Sequence, residues 1–155
     1  MNHAVIFAIC IGLVAGLRSF TPPAVVSWAA HFGALNLAGS RLAFMGSLVS
    51  AIVFSLFAIG ELIGDKLPQT PRRTAIFPLV ARMVTGGLCG ACFCAAASQS
   101  LGMGIFLGAT SAIIGAFVGY QIRAQLVRRL PIKDFVVAIC EDLVAIGLAC
   151  FLAFR

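Results

Sequence analysis

Residues 42–64 read LAFMGSLVSAIVFSLFAIGELIG, a stretch in which Glu61 is the only charged residue. A helix needs about 20 apolar residues to cross the roughly 30 Å hydrocarbon core of a bilayer, and this run has that length. A strand buried in a soluble core is far shorter, so the stretch reads as a membrane-spanning helix. The rest of the chain agrees. Its 155 residues are 61% hydrophobic and 10% charged, with a mean hydropathy of +1.08, whereas soluble domains are about 45–50% apolar and about 25% charged. At this length there is room for about five spans and little else. The expected fold is therefore all-α: a polytopic membrane helical bundle forming one domain over residues 1–155.

Other apolar runs flank the first. Residues 4–20 form an expected span that Thr21-Pro22-Pro23 closes, because proline lacks an amide donor and disfavours helix in the residue before it. This run has the length of a leader's apolar core. No Lys or Arg precedes it, however, and Arg18-Ser19-Phe20-Thr21 is a poor cleavage site, so it is expected to stay as a span. Residues 24–35 are apolar but too short to cross. They read as an interfacial or re-entrant half-helix with Trp28 and His31 near the headgroups. Further spans are expected over 75–97, 101–122 and 135–154, the first two joined by the short turn Ser98-Gln99-Ser100 into an antiparallel hairpin.

The formal net charge is +6, but the basic residues sit in short segments between apolar runs and form no face for nucleic acid. In a five-span arrangement Lys66, Arg72, Arg73, Arg123, Arg128, Arg129 and Lys133 fall on the side of the N-terminus, with Arg41 and Arg155 opposite. The positive-inside rule then places the N-terminus in the cytoplasm and the C-terminus outside.

Ionisable groups inside spans cost about 2.5–3.5 kcal/mol each on insertion scales, so they face partners or water rather than lipid. Arg18, Glu61, Arg82, Glu141 and Asp142 are such groups, and Arg18 or Arg82 is expected within pairing distance of Glu141 or Glu61. Three acids against two bases leave one acid for protonation or solvation. Adjacent residues on a helix point about 100° apart, and Glu141 shares its face with Ala138 and Ala145, which makes it the better candidate for a buried site.

Gly12-x-x-x-Gly16 and Gly115-x-x-x-Gly119 have the small-residue spacing that lets membrane helices pack closely, within the bundle or across a homodimer. Ala58-Ile59-Gly60-Glu61 parallels Ala138-Ile139-Cys140-Glu141. Together these pairs make spans one and two, and four and five, candidates for an inverted repeat, an architecture that places binding sites at the repeat interface beside broken helices. All six cysteines lie in apolar runs and read as small packing residues. Cys89 and Cys92 share a face from which Cys94 is turned away, with no His or charged ligand nearby, so no metal site is expected. His3 and His31 lie near span ends, and no nucleophile-base pair or phosphate loop is present. Neither an enzyme activity nor a cofactor is expected.

At Gly16-Leu17-Arg18 with Pro22, and above all at Glu61-x-x-x-Asp65-Lys66-x-Pro68, the chain resembles a family of small bacterial inner-membrane proteins catalogued as a domain of unknown function. The resemblance covers nearly the whole chain. It implies a helical bundle in the bacterial inner membrane and supplies no substrate. Glu61 and Asp65 lie four residues apart on one helix face, either as an anionic gate or as a helix end where Lys66 neutralises Asp65. Two functions compete: a small transporter or channel that moves an ion or small solute past Arg18, Glu61, Asp65, Arg82, Glu141 and Asp142, with proton coupling through the carboxylates, or a non-catalytic scaffold held by small-residue helix faces. A water-accessible cavity at the carboxylates would favour the first, dry ion pairs the second.

Overall fold

A computed structural model describes residues 2–64, 76–129 and 134–155. The described residues are helical apart from short connections, in the order α1 (Asn2–Leu17), α2 (Thr21–His31), α3 (Leu48–Gly64), α4 (Ile76–Ala96), α5 (Leu101–Arg129) and α6 (Asp134–Ala153). A short 3-10 turn, Ala43–Gly46, precedes α3.

Three of these helices are long and apolar enough to cross a membrane: Ile76–Ala96, Leu101–Arg129 and Phe135–Ala153. That is fewer than the five spans expected. The first expected span stops at Leu17, and Pro22 and Pro23 do not merely end it. They occupy the first turn of α2, where the missing amide hydrogen costs nothing because that group has no helical acceptor. The second is cut at its start, since Ala43–Gly46 forms the 3-10 turn and Ser47 is extended. The 17 residues left in α3 span about 25 Å at 1.5 Å per residue.

The centre of the bundle is α1, α4 and α5 packed backbone to backbone. A Cβ on Gly12 would lie 2.5 Å from the Gly108 carbonyl oxygen, and one on Gly16 would collide with Ala112 and Ala116. These contacts advance together along both chains, so α1 and α5 run parallel. Between α4 and α5 the order reverses. A Cβ on Gly86 would lie 2.8 Å from the Gly108 oxygen, and one on Gly104 would lie 2.5 Å from the Gly90 oxygen. These helices are antiparallel, and the connecting turn places Ser98 in the left-handed region at φ +55°.

The α2–α3 pair is an antiparallel hairpin, held by Trp28 Nε1 donating to Ser55 Oγ (3.0 Å) and by His31 Nδ1 lying 3.1 Å from the Gly46 oxygen. Helix α6 packs mainly on α2 and α1 and only lightly on α5. At its far end Leu152 and Ala153 share a crevice with His3, Phe7 and Phe93.

Both chain ends therefore lie at one end of the bundle, with His3 and Arg155 lining the same crevice. The expectation of termini on opposite sides does not fit this arrangement, because α2 turns the chain back and adds a pass that the five-span count omitted. The inverted repeat fails for a related reason. An upside-down second copy would set α5 antiparallel to α1, whereas the two helices run parallel.

Polarity is inverted relative to a soluble protein. Arg18, Ser19, Thr21, Ser27, Arg82, Thr85, Ser111 and Asp142 are buried, while Phe77 is 87% exposed and Leu56, Ile63, Phe106 and Phe151 face outward. In water such a surface would be an extended apolar patch of the kind that drives association. Next to lipid it carries no such penalty.

Candidate functional site

Between α1 and α2 the helix breaks at Arg18, Ser19 and Phe20. A break orphans backbone groups on both sides: carbonyls at the end of the first helix, amides at the start of the second. The charges singled out in the sequence gather at these orphans. Glu61, three residues before the end of α3, accepts hydrogen bonds from the amides of Ser19 (2.7 Å) and Phe20 (2.9 Å). Arg82, 2% exposed on α4, donates to the carbonyl of Gly16 (3.0 Å), and its Nε lies 3.4 Å from Ser19 Oγ. An anion sits on the positive end of α2 and a cation on the negative end of α1, the placement that complements both helix dipoles.

Arg18 is fully buried and forms an ion pair with Asp142 of α6. This pair fastens the break to the last helix. Thr21, buried at the first position of α2, has a side-chain oxygen with no hydrogen-bond partner among the described residues. Arg82 and Asp142 both lie roughly 10 Å inside the ends of their helices at 1.5 Å per residue.

The sequence reading favoured Glu141 as the buried acid, and its side chain is 12% exposed; neighbouring Asp142 is 9% exposed and meets Arg18. Glu141 is turned toward α5, where its Oε2 lies 3.7 Å from Arg123 Nη1. The two acids diverge because neighbouring residues on a helix differ by about 100° in direction. Arg123 had been assigned to a basic loop; α5 continues as helix to Arg129 and brings it beside Glu141. With Arg123 added, the described cluster holds three bases and three acids, so the surplus acid inferred from the sequence disappears. Arg18, expected near Glu141 or Glu61, meets Asp142, and Glu61 accepts from two backbone amides. Asp65 lies outside the described residues.

Of the four glycines proposed for packing, Gly12, Gly16 and Gly115 abut backbone of a neighbouring helix, and Gly119 abuts the Leu17 side chain. Gly86-x-x-x-Gly90 and Gly104-x-x-x-Gly108 make equally close contacts and went unnoticed in the sequence, although their spacing is the same. Cys89, Cys92 and Cys94 are buried free thiols, the first two within the apolar core.

Residues 5–155 match the model of a family described as Domain of unknown function (DUF4126). No curated protein and no solved structure matches the chain.

Proposed function

The chain belongs to the DUF4126 family, whose description carries no activity, and from its own geometry we propose that it is a small integral membrane transporter or channel-like protein moving an ion or small solute. The observation that supports this reading is the broken helix at Arg18, Ser19 and Phe20, set among Glu61, Arg82 and Asp142 inside a bundle with an apolar exterior. Membrane transporters bind solutes and coupling ions at such breaks, where helix ends supply partial charge without the cost of a lone ionised group.

In this placement α4, α5 and α6 cross the bilayer, the shorter α3 reaches through most of it, and α1 and α2 enter together and meet at a break near one face. The basic face carries Arg123, Arg128 and Arg129 at the end of α5, and the sequence joining α3 to α4 contains Lys66, Arg72 and Arg73. By the positive-inside rule that face is cytoplasmic, which puts both termini outside the cytoplasm of a bacterial inner membrane.

Proton coupling rests on Glu61. Its carboxylate is held by two amides and has no ion pair among the described residues, whereas Asp142 has Arg18 and Glu141 has Arg123. Protonating Glu61 weakens its hold on the start of α2 and loosens the break. Proteoliposomes carrying a pH-sensitive dye inside test this under an imposed gradient, followed by a screen of small ions and metabolites. Wild-type protein should give a pH-dependent flux that Glu61→Gln abolishes, and because Gln keeps one acceptor oxygen for the two amides, circular dichroism of the variant must show that the helices are retained. Flux indistinguishable from empty liposomes across the screen would reject transport.

The second reading is a membrane scaffold. The Arg18–Asp142 pair favours it, being dry and locked between helices rather than open to water.

A further inference from the structure

From the crevice between α5 and α6 we infer a binding site for one anionic phospholipid, with an acyl chain between the helices and the phosphate on Arg123. The inference uses the membrane placement proposed above but not the transport reading. The crevice has a volume of about 270 Å³ and is lined by Leu17, Ile122, Leu126 and Val144, with Arg123 and Glu141 its charged members. It exists because α6 leans on α2 and α1 and leaves α5 largely uncovered along this side.

Depth and charge identify the occupant. Arg123 lies 22 residues beyond Leu101, about 33 Å along α5, close to the roughly 30 Å at which a hydrocarbon core ends. The apolar lining is therefore at acyl-chain level, and the guanidinium is at headgroup level. Glu141 offsets one positive charge. Arg128 and Arg129 are exposed on the last turn of α5, the same end of the helix as Arg123. This end of α5 therefore keeps an excess of cations among the described residues. A zwitterionic headgroup gains little from such an excess, whereas an anionic one gains about 1 kcal/mol per basic residue near the surface. Basic pockets between membrane helices on the cytoplasmic side select anionic headgroups by this chemistry.

Native mass spectrometry of the full chain, purified in mild detergent and supplied with either phosphatidylglycerol or phosphatidylcholine, tests the site. One phosphatidylglycerol per chain should be retained at collision energies that strip phosphatidylcholine, and Arg123→Gln should weaken that retention about fivefold. Cys140→Phe supplies a second variant that leaves every charge in place. Cys140 lines the crevice and is exposed, so the larger ring fills the acyl slot, and lipid retention should fall with the fold intact. Equal retention of both lipids by wild-type protein, a lipid-free dimer, or a phosphatidylglycerol preference untouched by both variants would overturn the site. A chain that never partitions into membranes would instead overturn the membrane placement.

Discussion

The Arg18 guanidinium and the Asp142 carboxylate form an ion pair whose side chains are 0% and 9% exposed, joining the end of α1 to the middle of α6. Removing one member of a buried pair strands the other, at a cost of about 3–5 kcal/mol, whereas replacing both with apolar residues of similar size is often neutral. Asp142→Ala should therefore lower resistance to detergent denaturation markedly, and Arg18→Met combined with Asp142→Leu should recover most of the loss. A double variant as unstable as the sum of its singles would show that the two residues act independently.

Arg82 and Arg128 offer a matched comparison, because the first is buried against the Gly16 carbonyl and the second is exposed on α5. A hydrogen bond to a charged group is worth about 1.5–3 kcal/mol. Arg82→Ala should lose about that much stability, and Arg128→Ala should lose almost none. Thermal unfolding followed by circular dichroism in detergent measures both, and equal losses would place Arg82 at the interface.

Glycines on the packed faces should separate cleanly from those elsewhere. A methyl on Gly90 or Gly108 meets the backbone of the opposing helix, whereas one on Gly60 or Gly147 meets nothing within 4 Å. Overpacking of this kind costs about 1–3 kcal/mol and forces backbone shifts. Gly90→Ala and Gly108→Ala should lower the melting temperature, while Gly60→Ala should leave it unchanged or raise it through better helix propensity. Indifference at Gly108 would mean that α4 and α5 are not in backbone contact.

The shared crevice of His3 and Arg155 puts both termini at one end of the bundle, and in the proposed membrane placement that means one side of the bilayer. A reporter active only in the cytoplasm should stay silent when fused to either end and work when inserted between residues 65 and 75. Activity at one terminus and not at the other would restore an odd number of crossings.

That the chain folds as apolar helices was legible in its apolar runs and in the few charges scattered among them, because composition and run length are local properties; the 3-10 turn that shortens the run 42–64 to a 17-residue helix was not. The turn at Ser98-Gln99-Ser100 and the glycine spacings were legible for the same reason. The direction in which α1 passes α5 was not. Direction depends on how many times the chain turns back before α5, and α2 is too short to register as a pass by length. The partners of the charges were also hidden. Glu61 and Arg82 are bound to backbone atoms of a helix break, and backbone groups carry no letter in a sequence. The choice between Glu141 and Asp142 turned on which way α6 is rotated about its own axis, which only the packing of α6 on α1 and α2 sets. Sequence determined that the protein folds as apolar helices with charges inside them; tertiary structure decided which orphaned helix ends and which opposing charges those side chains meet.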